Sequence, residues 1–108
     1  MITKTNIHEG FKQISKYWDP RLVGELNGQA VKLARFHGEF HMHRHDKEDE
    51  MFLVIRGSFQ MEMPGQTLEL KEGDMVIIPR GTLHKPVASE EAQVLLFEPG
   101  TTRKEGDE

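Results

Sequence analysis

Hydrophobic residues near the start of the chain recur at helical spacing. Four large side chains share one stripe at i, i+4, i+7 and i+11: Ile7, Phe11, Ile14 and Trp18. Asn6 is a suitable N-cap, and Glu9 three residues later completes a capping-box pattern. The pattern stops at Pro20, because the residue before a proline disfavours the helical conformation. The sequence therefore predicts a short helix over residues 6–18, and we expect Tyr17 and Trp18 to pack this helix.

After this helix the pattern changes to short apolar segments separated by turn residues. Asn27-Gly28 is a strong hairpin signal between the first two of these segments. The predicted strands cover residues 21–26, 30–36, 51–56, 58–63, 67–70, 75–78, 84–88 and 93–97. About eight short strands with turns every 8–12 residues are typical of an all-β sandwich or barrel.

The 108 residues suit one compact core rather than two. We divide the chain into an N-terminal helical segment (1–20), a β-barrel (21–98) and a polar C-terminal tail (99–108). The last segment contains no large apolar side chain, so we expect it to be solvated and frayed.

Composition excludes several classes of function. The 14 basic and 18 acidic residues give a net charge of −4, which offers no electrostatic reason to expect nucleic-acid binding. The chain has no cysteine, which excludes a disulfide framework, a thiolate metal site and a cysteine nucleophile. No apolar run approaches the ~20 residues that span a bilayer, and the first residues lack the apolar region of a signal peptide. We therefore expect a cytoplasmic protein without a membrane or nucleic-acid partner.

The histidines supply the candidate chemistry. His41, His43 and His45 alternate, so they share one face if this stretch is extended. Glu50 follows at the start of a predicted strand, and His84 lies far along the chain. Imidazoles and a carboxylate that converge on one cavity suit a borderline divalent metal. On these residues alone, an exposed polar segment explains the pattern as well as a metal site does.

The surrounding glycines and proline follow two regular spacings. The first string is His43-x-His45, four residues, Glu50, six residues and Gly57. The second string is Gly73, five residues, Pro79, one residue, Gly81, two residues and His84. The two strings are similar to the paired signature motifs of the cupin superfamily, and they match it far more specifically than most short motifs match a family.

The motif spacing also chooses between two ligand registers. If the pair were His41 and His43, Glu48 would take the acidic position, but eight residues would then precede the motif glycine instead of six. The register with His43, His45 and Glu50 matches the motif spacing without adjustment.

The resemblance covers residues 21–98 and is to small single-domain cupins, in a subgroup loosely labelled mannose-6-phosphate isomerase-like. It implies an all-β, cupin-type double-stranded β-helix, a jelly-roll barrel, here with a short N-terminal helix. It also implies a divalent transition metal (Fe, Mn, Zn, Ni or Cu) held by the matching residues His43, His45, Glu50 and His84. His41 lies beside this set, as an acid or base, as a hydrogen-bonding neighbour of a ligand, or as a bystander.

Three classes of function remain open. The first is a metal-dependent enzyme acting on a small molecule in the barrel, either a dioxygenase or an isomerase or epimerase. The second is a non-catalytic module that binds a small ligand with the metal as a clamp, and the third is a scaffold. We rank them in this order. We also expect a homodimer formed through residues 22–36 and the helix, because a small jelly roll leaves edge strands and an apolar face uncovered.

Overall fold

The computed structural model describes residues 1–107, which form one helix and a seven-stranded antiparallel sheet. In chain order the elements are α1 (Ile7–Lys12), β1 (Arg21–Leu26), β2 (Gln29–Glu39), β3 (Glu50–Arg56), β4 (Ser58–Met63), β5 (Gln66–Lys71), β6 (Met75–Ile78) and β7 (Lys85–Pro99). The strand order is β1-β2-β7-β3-β6, and β4 pairs with both β5 and β7. The all-β prediction is confirmed.

Strand β7 connects the sheet, because it pairs with β2, β3 and β4. The sequence predicted two strands over residues 84–88 and 93–97, whereas the structure joins them into one strand of 15 residues. The polar residues 89–91 remain part of the strand because the β2–β7 register shifts between Phe36 and Gly38. The extra β7 residues are accommodated at this bulge, and the strand continues on both sides.

Helix α1 is shorter than predicted. Asn6 Oδ1 accepts a hydrogen bond from the Glu9 amide at 3.1 Å, which confirms the N-cap. The Glu9 side chain instead contacts Lys12 Nζ at 3.3 Å. The helix ends after six residues, and the Ile14 carbonyl beyond it accepts a hydrogen bond from the Arg35 guanidinium of β2. Among residues 1–107, no helix has the length and apolar character needed to cross a membrane.

The predicted apolar stripe is divided between the two faces of β2. Phe11 and Ile14 pack on Leu33 in a small outer cluster, where all three side chains are almost fully buried. Trp18 packs instead in the barrel interior, with its ring stacked on Phe36 at 4.4 Å between centroids. The expectation that Trp18 packs the helix is therefore wrong, because the chain leaves the helical path before this residue.

The C-terminal residues pack against the barrel. Thr102 and Gly106 are buried, and the Asp107 amide donates to the Arg44 carbonyl at 2.8 Å. The Asp107 side chain accepts from the Asp46 amide at 2.7 Å. For residues 100–107, which we call the C-terminal segment, the expectation of a frayed tail is wrong, because backbone and short polar groups hold them. Glu108 lies outside the described residues.

Candidate metal centre

Four side chains from three parts of the chain meet inside the barrel. His43 and His45 lie in the connection between β2 and β3, Glu50 begins β3, and His84 immediately precedes β7. His43 and His84 form an antiparallel bridge through both of their backbone amides, at 3.0 and 2.9 Å. This bridge joins the two sequence motifs. One ligand atom from each of the four residues lies within 4.8 Å of the others.

Backbone carbonyls orient two of the imidazoles. His43 Nδ1 lies 2.9 Å from the His41 carbonyl, and His84 Nδ1 lies 2.9 Å from the Thr82 carbonyl. A carbonyl only accepts hydrogen bonds, so both Nδ1 atoms carry the proton and donate it. Each Nε2 atom is therefore left with a free lone pair, which is the form that binds a metal.

Two acceptor atoms then face each other in the cluster. His84 Nε2 lies 3.2 Å from Glu50 Oε1. With the Nδ1 proton fixed by Thr82, this pair needs an added proton or a cation to be favourable. A divalent ion bound by both atoms would satisfy that requirement.

His45 gives the same indication independently. Both of its ring nitrogens are buried, and neither has a hydrogen-bond partner among residues 1–107. Its Nε2 lies 3.4 Å from Glu50 Oε1, longer than a normal hydrogen bond. Unsatisfied buried polar atoms destabilise a fold, so the ring nitrogens fit a ligand position in a metal centre.

The charge states also suit a metal. Burial lowers the pKa of His43 to about 4, so this imidazole is neutral at neutral pH. Burial raises the pKa of Glu50, but the interactions with His45 and His84 outweigh it, and the net pKa is lowered. For His45, burial lowers the pKa and the Glu50 carboxylate more than compensates, so the pKa is raised. Neutral His43 beside the Glu50 carboxylate is a donor pair that a divalent cation prefers, and at His45 a cation would take the place of the proton that Glu50 favours.

A cavity that is partly open to solvent adjoins the cluster. His43 and Glu50 lie in its wall, so two of the candidate ligands face the space where a small molecule would bind. The apolar part of the wall includes Trp18, Phe36, Phe40, Phe52 and Leu96. A mostly apolar cavity with a few converging polar groups is typical of a small-molecule site.

The same wall contains a buried ion pair that the sequence did not indicate. Lys32 Nζ lies 2.8 Å from Glu98 Oε2, and Glu98 is only 3% exposed. Glu98 Oε1 is buried without a hydrogen-bond donor among the described residues. Burial and the neighbouring Glu50 carboxyl raise the pKa of Glu98 to about 8, although Lys32 acts in the opposite direction.

Strand alternation carries a signal for this pair. Lys32 lies on β2 in step with the buried Ala30 and Ala34, and Glu98 lies on β7 in step with Leu96. An ionisable residue on the inward-facing parity of a strand is unusual, because burial of an unpaired charge is unfavourable. The histidine motifs contain no information about this pair, which only the parity of the two strands can indicate.

His41 lies outside the cluster. Its side chain is exposed, its Nε2 lies 2.8 Å from the Glu105 carbonyl, and it does not line the cavity. Its backbone carbonyl orients His43, and its ring centroid lies 5.2 Å from that of the His43 ring. An acid or base role for the His41 side chain stays a prediction.

Comparisons with known proteins agree with this geometry. Residues 31–100 match the family model Cupin_2, described as a cupin domain. The crystal structure of a cupin-2 domain containing protein from Shewanella frigidimarina is 37% identical, with a TM-score of 0.86 over 88% of this chain and 93% of that one.

Two curated relatives are similar over part of the chain. The uncharacterized protein YdbB of Bacillus subtilis is 38% identical over 64 residues, 58% of this chain and 57% of the relative. The pectin degradation protein KdgF of Dickeya dadantii is 35% identical over 54 residues, 50% of this chain and 49% of the relative. This chain thus spans about half the length of the curated relatives it matches. Its family match, fold and ligand geometry together show that the chain belongs to the cupin superfamily, with a Cupin_2 domain over residues 31–100.

Proposed function

We propose that the protein is a divalent-metal-dependent enzyme of the isomerase or epimerase type that acts on a small sugar-related molecule in the barrel. The observation that carries this proposal is the buried cluster whose four ligand atoms lie within 4.8 Å of one another, beside a cavity. The similar KdgF protein of Dickeya dadantii is a pectin degradation protein, which supports a sugar-related substrate class.

His43, His45, Glu50 and His84 would hold the metal. A divalent ion at this position supplies Lewis-acid polarisation of a substrate oxygen. The His41 and Thr82 carbonyls keep two imidazoles in the tautomer that binds it. The aromatic part of the cavity wall would limit the water around a bound substrate and so strengthen electrostatic interactions with it.

Glu98 is the group that we assign to proton transfer. Lys32 holds its Oε2 atom, which leaves Oε1 without a donor and next to the candidate ligand Glu50. An isomerase or epimerase removes a proton from a carbon next to a carbonyl and returns it, which requires one such positioned group. A clamp for ligand binding alone does not need a second buried carboxyl group beside the ligand set.

Metal binding is the first test, with one matched pair of variants. We expect untagged wild-type protein to contain about one equivalent of metal, and His84→Ala to lose it, because this change removes one of four ligands. His8→Ala is the control, since His8 is exposed on α1 and distant in sequence from the motifs. If the wild type takes up no metal and added Zn, Mn, Ni, Cu or Fe does not raise its Tm, the metalloenzyme proposal is wrong.

Solvent exchange tests the reaction class. We expect the metal-loaded protein to exchange a substrate C–H proton with D₂O, observed by proton NMR on a panel of aldoses, ketoses and uronates. Glu98→Gln keeps the shape of the side chain and should slow exchange by about 100-fold or more with metal content unchanged. Glu25→Gln, at an exposed position on β1, is the control.

The other functions give different results in the same experiments. Oxygen consumption by iron-loaded protein would indicate a dioxygenase. Saturable ligand binding without exchange or oxygen consumption would indicate a binding module.

The homodimer remains part of the proposal. Strand β1 lies at one edge of the sheet, and its Leu22 and Leu26 side chains are 54% and 51% exposed. Pairing of two copies would cover this edge and these side chains. A monomeric mass by sedimentation at micromolar concentration would contradict it, and Leu26→Glu should convert a dimer to a monomer.

A further inference from the structure

Trp18, the single tryptophan of the sequence, has a main-chain conformation that is unusual for a bulky residue. Its φ is +59°, in the left-handed region that large side chains rarely adopt. Such strain persists only where the surroundings fix the residue, and it concentrates at functional sites. The main chain turns at this point from the helical segment into the barrel.

Two hydrogen bonds and two rings fix the indole. The Trp18 amide donates to the Arg35 carbonyl at 2.9 Å, and Nε1 donates to the His37 carbonyl at 2.9 Å. The ring stacks on Phe36 and is tilted on Phe40 at 5.2 Å between centroids. Both N–H groups of Trp18 are thus satisfied, and the ring is held against the aromatic wall.

The preceding residue is held separately. Tyr17 OH donates to Glu91 Oε1 at 2.9 Å, and the Arg35 guanidinium bonds the same carboxylate and the Ile14 carbonyl. Arg35 also lies 5.4 Å from the centre of the Tyr17 ring. We call Tyr17, Arg35 and Glu91 the latch. It connects the segment before Trp18 to β2 and β7, outside the cavity.

Trp18 retains some exposure and lines the cavity that contains His43 and Glu50. The strained turn brings the Trp18 ring to the cavity wall, where the contacts described above fix it. We propose that Trp18 is a ligand-binding residue: its indole packs on the apolar face of a bound ring, and the latch keeps it in place. This inference rests on the proposed function and assigns the part of the site that contacts the non-reacting face of the substrate.

The cavity wall defines the ligand class. The indole and Phe40 present an apolar surface, while Lys32, Glu98 and the metal ligands present charge and hydrogen-bonding groups. A molecule with one apolar C–H face and one hydroxylated edge matches both surfaces, as a cyclic monosaccharide does. An acyclic polyol has the hydroxyl groups but lacks the flat face, and should bind less well.

Trp18 reports its own environment, because no other tryptophan contributes to the emission. The probes are D-mannose, D-galactose and D-galacturonate, with the acyclic polyol D-mannitol as the comparison, each titrated into zinc-loaded protein. We expect a cyclic probe to shift the Trp18 emission saturably, with the same Kd as calorimetry gives. D-mannitol should bind at least about fivefold more weakly.

Leucine variants separate contact from stability. Trp18→Leu should weaken the cyclic probe by about tenfold, the order expected for loss of an aromatic contact. Phe97→Leu is the matched control, because Phe97 is also a half-buried ring but alternates with Glu98 and faces the other side of β7; binding should stay within about twofold. If Trp18→Leu does not fold, Trp18→Phe takes its place, and calorimetry should show binding weakened by less than about threefold because a ring is retained. The wild-type emission titration is then the measurement of contact.

Several results would overturn the inference. One is unchanged binding in folded Trp18→Leu, another is a bound probe that leaves the wild-type emission unaltered, and a third is no binding by any cyclic probe. Zinc content is measured on each sample. If the zinc-loaded wild type fails these tests, the proposed role of Trp18 is wrong and the metal site stands. If the wild type does not bind zinc, the proposed function itself is wrong.

Discussion

The N-terminal and C-terminal regions both contact the candidate site, but through different kinds of interaction. Residues before β1 contact the site with large side chains. Trp18 forms part of the cavity wall, and the Arg35–Glu91 ion pair holds the segment before it. The C-terminal segment contacts it chiefly with its backbone, since Gly106 packs on His43 and the Asp107 amide donates to the Arg44 carbonyl, and it adds Lys104 to the cavity wall. An apolar pattern reveals the first kind of contact, whereas the second kind leaves almost no compositional trace.

The C-terminal contact is the one that we expect to be most sensitive. A Cβ atom on Gly106 would lie 2.7 Å from His43 Cβ and 2.8 Å from the Arg44 carbonyl oxygen, and the φ of +86° adds strain. Gly106→Ala should therefore lower the free energy of unfolding by about 2–4 kcal/mol and displace a candidate ligand. We expect zinc affinity to fall by at least about tenfold, measured by competition with a chelator.

Gly65→Ala is the control for this change. Gly65 lies in the β4–β5 turn with a similar φ of +78°, but a Cβ there meets nothing within 4 Å. Gly65→Ala should therefore lower the free energy of unfolding only by the backbone strain, about 1 kcal/mol, and leave the zinc affinity unchanged. Equal losses of stability and affinity in both variants would show that the contact with His43 is unimportant.

A substitution at the N-terminal contact should change stability less than Gly106→Ala does, and it should alter the Trp18 emission rather than the zinc affinity. Arg35→Met removes the guanidinium that bonds Glu91 and the Ile14 carbonyl. Because the two side chains of the ion pair are 26% and 32% exposed, we expect a loss of only about 1 kcal/mol in urea unfolding. The Trp18 emission should shift to longer wavelength, and zinc affinity should stay within about twofold.

Lys71→Met tests whether any lost ion pair has this effect. Lys71 lies 3.6 Å from Glu69 in a highly exposed pair on β5, so its removal should change neither stability nor emission measurably. A large loss of zinc affinity in Arg35→Met would mean that the N-terminal and C-terminal contacts are not independent.

The sequence predicted the four candidate ligands because motif spacing depends on chain positions that the barrel then brings together. His43 and His84 are far apart in sequence, yet they bridge as the paired motifs require. The seven observed strands also lie close to the predicted ones, since turn residues mark their ends. These features depend on local patterns of residue type and spacing.

The features that were missed depend on tertiary contacts. The helix was predicted to include Trp18, but it ends at Lys12. The Ile14 carbonyl beyond it accepts a hydrogen bond from Arg35 instead of continuing the helix. The inward-facing Glu98 is a carboxyl group on a mostly apolar strand face, and its contacts with Lys32 and Glu50 exist only in the folded barrel. The C-terminal segment has no large apolar residue and is held by hydrogen bonds to the ligand-bearing loop.

The smallest predicted effect concerns the pH dependence of the latch. Hydrogen bonding to Arg35 lowers the pKa of Glu91 below its ordinary value of 4.5, and Tyr17 and His37 lower it further. Burial raises this pKa, but the three side chains together outweigh burial. A carboxyl group whose pKa is lowered by folding stabilises the protein above the unfolded-state pKa, and this stabilisation is lost as the pH falls through the folded-state value. The difference in unfolding free energy between the wild type and Glu91→Gln should therefore be constant from about pH 7 to pH 5 and shrink below about pH 4.5. Urea unfolding at about pH 7, 5 and 3.5 measures it, and a difference that persists or grows at the lowest of these pH values would show that the charge of Glu91 does not secure the N-terminal contact.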